Sequence, residues 1–256
     1  MMKKIKYIYL TTFIFILYLP IFILVMNSFN DSKISVKWEG FTFKWYLKLF
    51  DNIAIIESMK NSIIIAFISA FCTCIIATIA SFSFYRYKYI GRRISYFFIQ
   101  IMITFPDIIL GVSLLFLFVL LNFELGFTTL LISHITLALP FAIITIFAGF
   151  KGLDKNTIEV SRDLGASDFN ILKRIIIPLI LPNILAAFLI SLTLSLDDVL
   201  VSYFVSGPQF EILPLTIFSY ARIGVKPEVN AICTLMLVIS ILFILLSQTL
   251  LKDRYD

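Results

Sequence analysis

Three carboxylates interrupt apolar runs of membrane-spanning length: Asp107, which follows Phe105-Pro106, and the pair in Leu196-Asp197-Asp198-Val199. A charged group at membrane depth is costly to desolvate, so it faces a wet cavity or a partner charge and marks a solute route. Carboxylates suit a cationic solute. An anion path would place Arg or Lys there instead. On a continuous helix Asp107 shares a stripe with Gln100, Thr104 and Gly111, and Asp198 shares one with Ser191, Ser195 and Ser202, whereas Asp197 has only Thr193 nearby. Asp198 is therefore expected to face the pore ahead of Asp197, and Asp107 either lines it or caps a helix broken at its proline. At a rise of about 1.5 Å per residue, straight helices put Asp107 about 18 Å from Ser95 and Asp198 about 24 Å from Pro182, at different heights. His134, early in an apolar run, is expected to make an interhelical hydrogen bond. The three cysteines, Cys72, Cys74 and Cys233, fall in apolar runs. Their odd number argues against a disulfide framework, and without His or acidic company they make no metal site. No paired nucleophile and base is visible, which argues against an enzyme.

A second polar feature is the stretch from Glu159 to Ser167, continuing through Asp168-Phe169-Asn170 to Ile177-Pro178. If its first part is helical, Glu159, Arg162 and Asp163 share one face and Val160 and Leu164 another. Gly165 tolerates the positive φ that ends a helix, Ser167 can cap a second one, and Asp168 would suit its first turn. The expectation is a short amphipathic helix, a tight turn and a helix.

The elements that must hold these residues are membrane spans. The chain is 60% hydrophobic and 14% charged, far from the balance of soluble domains. Apolar runs predict about six spans, near Tyr7–Met26, Ser62–Phe84, Ser95–Leu121, Thr128–Phe150, Leu181–Val205 and Ala231–Leu251. The first lacks a small-x-small cleavage site and is read as a retained helix rather than a signal peptide. The second carries Ser62, Ala66, Ser69, Thr73, Ala77 and Ala80 at helical spacing, a seam for close helix packing. Between these two, Gly40 to Phe50 mixes aromatics with lysines, as an interfacial helix does. Lys and Arg concentrate in alternate loops, at Lys3, Lys4 and Lys6, at Arg86 to Arg93, at Lys151 to Arg174, and at Lys252 and Arg254. Cations are retained on the cytoplasmic side, so both termini and the Glu159 loop are expected inside. That bias accounts for the net charge of +5, and no basic block with interleaved aromatics suggests nucleic acid.

The spacing from Glu159 to Gly165 and on to Ile175-Ile176-Ile177-Pro178 resembles the cytoplasmic EAA loop of ABC-importer permeases. Val160 and Ser161 stand where that family usually has alanines, and Ile177 where it usually has leucine. The run from Ser133-His134-Ile135-Thr136 through Leu196-Asp197-Asp198-Val199 and Ser206-Gly207-Pro208 to Ala231 resembles the polyamine (spermidine/putrescine) branch of those permeases. The resemblance implies an all-α type I importer permease, one transmembrane domain over residues 1–256, in a bacterial inner membrane. It implies a second permease chain, a dimeric ATPase subunit that binds ATP and Mg, and an external polyamine-binding protein as partners. The chain itself holds no cofactor or metal, and it has no Gly-x-x-x-x-Gly-Lys-Ser/Thr loop. On this reading Asp198, Asp107 and Asp197 offset the charges of the polyamine, with Tyr203 and Phe105 adding cation-π contacts. Glu159, Arg162, Asp163, Gly165, Ala166 and Ser167 couple to the ATPase, and Pro208 and Glu211 either meet the binding protein or shape their loop. The rivals are an importer permease for another solute, such as an iron chelate or an inorganic anion, and a secondary transporter or channel.

Overall fold

The computed structural model describes residues 2–32, 37–154, 159–161, 163–223 and 227–252. Among the described residues every regular element is helical, apart from one isolated antiparallel bridge between Asn30 and Phe41. In chain order the helices are α1 (Met2–Ser28), α2 (Lys44–Asp51), α3 (Ile53–Arg86), α4 (Arg92–Ile103), α5 (Asp107–Leu120), α6 (Phe127–Lys151) and α7 (Asp168–Ile171). A π-helical turn at Leu172–Ile176 leads into α8 (Ile177–Asp197), followed by α9 (Leu200–Val205), α10 (Leu213–Ile223) and α11 (Pro227–Lys252). Among the described residues four continuous helical stretches are long and apolar enough to cross a membrane: Tyr9–Ser28, Ile53–Arg86, Phe127–Lys151 and Asp168–Asp197.

Two of the expected spans are not straight. The third consists of α4 and α5, bent by 112°. Pro106 has no N–H and holds Phe105 out of the helical region, which ends α4 and restarts the chain as α5. The fifth stops at Asp197 and resumes as α9. Asp is a poor residue inside a helix and a good one at its start, so two in succession favour a break. The heights expected from continuous helices therefore do not hold, although Ser191, Ser195, Asp198 and Ser202 are all buried across the second break, as their shared stripe predicts.

The chain divides into two compact units, 1–57 with 216–243, and 58–215 with 244–256. In the first, Trp45 of α2 is buried and donates its indole N–H to the Asn30 carbonyl at 2.6 Å. Phe29 stacks on Phe41 and meets Phe43 and Tyr46, while Lys44 and Lys48 each lie 5.1 Å from the Trp45 ring centre.

In the second unit the small-residue face of α3 is buried from Ser62 through Ala77. In lipid there is little hydrophobic gain in joining helices, so close approach and interhelical hydrogen bonds hold them. Ser62 Oγ accepts the Leu213 N–H at 2.7 Å, and Ser81 donates to the Ile143 carbonyl at 3.1 Å. Gly149 of α6 lies so close to Asn183 of α8 that an added Cβ would stand 2.6 Å from that side chain. Gly111, expected in a polar stripe, instead lets α5 approach the backbone of α9 at Val201. Apolar clusters fill either end of the unit, one around Phe84, Ile146, Phe150 and Ile176, the other around Leu114, Leu130, Val201 and Ile212.

Candidate functional site: two helix breaks around one cavity

The breaks in α4–α5 and α8–α9 open onto the same cavity, of about 610 Å³. The first contributes Phe105, Pro106 and Asp107, the second Asp197 and Asp198, and Leu137 and Phe141 of α6 complete an apolar wall. Interrupted helices at membrane depth are tolerated where they line a cavity, because the freed backbone groups then have water or solute to bond. The C-terminal ends of α4 at Ile103 and α8 at Asp197 both reach the cavity. Helix C-termini carry partial negative charge, so backbone and side chains favour a cation together.

The two adjacent aspartates have different environments. Asp198, expected to face the pore, is only 8% exposed. Its Oδ1 accepts the Val201 N–H at 3.1 Å, and its Oδ2 accepts the Ser202 N–H at 2.8 Å and the Ser202 hydroxyl at 2.7 Å. It is the cap that starts α9, which its own backbone conformation, φ −71° and ψ 119°, allows. Asp197 is exposed to the cavity, and among the described residues its carboxylate has no hydrogen-bond or ion-pair partner. Asp107, the first residue of α5, is likewise exposed and unpaired among them. The break after Pro106 thus realises the helix-start alternative for Asp107 while still leaving its carboxylate on the cavity.

Behind the cavity His134 is fully buried. Its Nδ1 is 2.5 Å from Ser195 Oγ, its Nε2 is 2.9 Å from Ser202 Oγ, and Nε2 is 3.6 Å from Asp198 Oδ2. The Ser202 proton goes to Asp198, so Ser202 Oγ must accept from His134 Nε2–H, which leaves Nδ1 to accept from Ser195. One directed chain, Ser195 to His134 to Ser202 to Asp198, ties α6 to both sides of the α8–α9 break. The interhelical bond expected of His134 is there, but its link to Asp198 was not legible, since residues 64 positions apart carry no spacing signal.

The other expected site residues lie elsewhere. Phe105 lines the cavity, whereas Tyr203 is exposed on α9 and packs edge-on against Phe204, off the cavity wall. Around the 159–178 loop, Gly165 has φ +83°, the Ala166 N–H returns to the Ser161 carbonyl at 3.1 Å, and Ser167 Oγ accepts the Asn170 N–H at 3.4 Å. Of the expected first helix, residues 159–161 and 163 are helical and 157, 158 and 162 lie outside the described residues, while the turn and the second helix form, with Asp168 in the first turn of α7 and 3.7 Å from Arg86. Glu159 and Asp163 are exposed, and Val160 and Leu164, the apolar face, are 56% and 83% exposed. Arg162 lies outside the described residues. Pro208 and Glu211 are exposed on a loop fixed from below: Asn61 donates to the Glu211 carbonyl at 3.0 Å, and a Cβ on Gly207 would collide with the Leu125 carbonyl.

Comparison with known proteins agrees with this geometry. The chain is 44% identical over 238 residues, 93% of its length, to the spermidine/putrescine transport system permease protein PotC of Escherichia coli (strain K12), covering 90% of that protein. The PotC protein of Haemophilus influenzae matches at 44% over 93% of both chains, and the putrescine transport system permease protein PotI of Escherichia coli (strain K12) at 36% over 86% of this chain and 81% of its own. Among solved structures, a bacterial ABC transporter for import of the polysaccharide alginate superposes with a TM-score of 0.73 at 17% identity, over 100% of this chain and 96% of that one. The inward-facing MetNI methionine transporter gives 0.63 at 20% identity, over 78% and 95%. Those two likenesses speak for the fold alone. Residues 74–256 match the model of the binding-protein-dependent transport system inner membrane component. With a helical architecture interrupted at a membrane-depth cavity and an exposed helix–turn–helix loop, the chain belongs to that family of ABC-importer permeases.

Proposed function

We propose that this chain is the permease subunit of an ATP-driven importer that carries polyamines, spermidine or putrescine, across the inner membrane by alternating access. The observation that carries the substrate class is the pair of unpartnered carboxylates, Asp107 and Asp197, on one cavity with an apolar wall. A polyamine presents ammonium groups separated by methylenes, and such a wall matches the methylenes as the carboxylates match the charges. Phe105 supplies a ring face for one ammonium. Asp198 acts from behind by holding the α8–α9 break open. Tyr203 belongs to the path only if a partner chain completes the cavity on its side.

Residues 1–256 act as one permease domain beside a second permease chain. A dimeric ATPase subunit holds ATP and Mg, and it docks on the 159–178 loop through Glu159, Asp163 and the exposed Val160 and Leu164. Arg162, Gly165, Ala166 and Ser167 complete that lever. An external binding protein meets the Pro208 and Glu211 loop. Both termini lie inside, as the Lys and Arg bias supports.

The test is uptake of labelled spermidine by vesicles holding the chain with its partner subunits, with ATP hydrolysis followed in parallel. Asp107→Asn and Asp197→Asn should each lower uptake at limiting spermidine about 10- to 100-fold, the worth of a charge-assisted contact, while the assembly keeps its ATPase activity. An assembly that hydrolyses ATP but ignores both spermidine and putrescine would refute the substrate.

A further inference from the structure

A second cavity, of about 860 Å³, lies where α3 ends, α4 begins and α6 ends. That is within the range of small-molecule sites, roughly 300–1,000 Å³. Four cations line it, Lys88, Arg92, Arg93 and Lys151, and among the described residues no acidic side chain does. Among the described residues Lys88, Arg92 and Arg93 make no ion pair or side-chain hydrogen bond, and Lys151 rests only on the Phe147 ring, 5.0 Å from its centre. The floor is aromatic: Phe84, Tyr96 and Phe147 meet one another with ring centres 5.7 to 6.3 Å apart.

The sequence puts this charge where a helix opposes it. Arg92 and Arg93 are the first two residues of α4, which has no acidic residue in its first turn and no side-chain cap, only Gly91 at φ +92°. A helix N-terminus carries partial positive charge and disfavours cations, and Lys88 and Lys151 add to the repulsion. An anion on the cavity would relieve it and also meet the first-turn N–H groups of Arg93 and Ile94, since that of Arg92 already donates to the Tyr89 carbonyl.

The surroundings say which anion. α3 and α6 are membrane-length helices that end here, at Arg86 and Lys151, which sets the cavity at the depth of lipid headgroups. Beside the cations, Ile90, Ile94, Phe97 and Phe98 are exposed, each by 59% or more. A free phosphate ion would leave that apolar strip unused, whereas a phospholipid would lay its acyl chain along it. We infer that this cavity binds the phosphate headgroup of an anionic phospholipid, with Arg92, Arg93, Lys88 and Lys151 on the phosphate and the outer face of α4 against the acyl chain. Basic pockets at helix ends recognise anionic headgroups in this way. The occupant would brace α3, α4 and α6 next to the 159–178 loop, whose Asp168 contacts Arg86 of α3.

The test uses the full chain purified with its subunits in non-ionic detergent and stripped of lipid. Phosphatidylglycerol, phosphatidylcholine and inorganic phosphate are titrated separately, with native mass spectrometry and the thermal midpoint as readouts. Phosphatidylglycerol should bind and raise the midpoint by several degrees, and the other two should not. The double variant Arg92→Gln/Arg93→Gln should weaken phosphatidylglycerol binding about 30-fold, from roughly 1 kcal/mol per basic side chain, and Lys60→Gln, an exposed lysine elsewhere, should leave it unchanged. If the double variant does not fold, Lys88→Gln and Lys151→Gln should show the same loss. Equal stabilisation by inorganic phosphate would overturn the lipid assignment, as would undiminished binding by the variants. Loss of the ATPase subunit from the lipid-free double variant would make the patch a protein-docking surface instead.

Discussion

At the scale of single residues, adjacent aspartates divide two tasks that their sequence position does not distinguish. Asp198 spends both oxygens on the start of α9 and touches the His134 chain, whereas Asp197 keeps its carboxylate free on the cavity. Replacing a saturated acceptor differs from replacing a free one. Asp198→Asn turns an NH2 group toward backbone N–H donors and should lower the thermal midpoint of the detergent-purified assembly. Asp197→Asn should leave the midpoint alone and reduce only uptake. Equal midpoints for the two variants would contradict the cap assignment. His134→Ala removes the acceptor of the buried Ser195 hydroxyl and a donor to Ser202, which still donates to Asp198, at a cost of about 1–3 kcal/mol. Reading that loss as lower stability, with His134→Gln partly restoring it, checks the directed chain.

At the scale of elements, the 159–178 loop depends on one backbone angle. Gly165 has φ +83°, and a Cβ there would meet nothing within 4 Å, so a substitution acts through the backbone and not through a clash. A left-handed residue other than glycine costs roughly 1–2 kcal/mol, and a β-branched one is worse. Gly165→Val should therefore cut the population of the docking-competent turn about 5- to 30-fold and uncouple ATP hydrolysis from uptake. Gly165→Asn, which tolerates that φ, should keep the two coupled. Uptake per ATP is the measurement, and equal coupling in both variants would show that the turn is not the lever. The π-helical turn at Leu172–Ile176 lies between the Gly165 turn and Pro178, where a missing N–H already loosens the helical register. Any tilt of α7 must therefore pass through it to reach α8.

At the scale of the whole molecule, sidedness can be tested directly. On the topology proposed from the Lys and Arg bias, the Gly165 turn is inside and the Pro208 loop outside. A cysteine-free chain with Ser167→Cys should react with an impermeant maleimide only from the inner face of the membrane. One with Pro208→Cys should react only from the outer face, both positions being exposed. Reversed labelling would invert the topology and, with it, the assignment of the two loops to the ATPase and the binding protein. The exposed apolar surface of α1, with no residue from Tyr9 to Asn27 buried within the chain, fits a helix that meets lipid or a second permease chain.

The sequence by itself determined the quantities that depend on local chemistry and on the solvent. Runs of apolar residues required membrane helices, the small-residue face of α3 required a packing seam, and the spacing from Glu159 to Ser167 required a capped turn, because each follows from residues within a few positions of one another. Pro106 likewise offers a break at Asp107, but no local feature separates Asp197 from Asp198, and the spacing that favours Asp198 for the pore assumes a helix continuing through both. What only the tertiary structure decided is which of those carboxylates is left without a partner on the cavity and that both breaks open onto the same one. Those outcomes rest on where α5, α6 and α8 cross, and on His134 reaching a serine 68 positions away. A helix fixes the angle of a side chain about its own axis, but the neighbour that satisfies it or leaves it free is set by packing between segments distant in the chain.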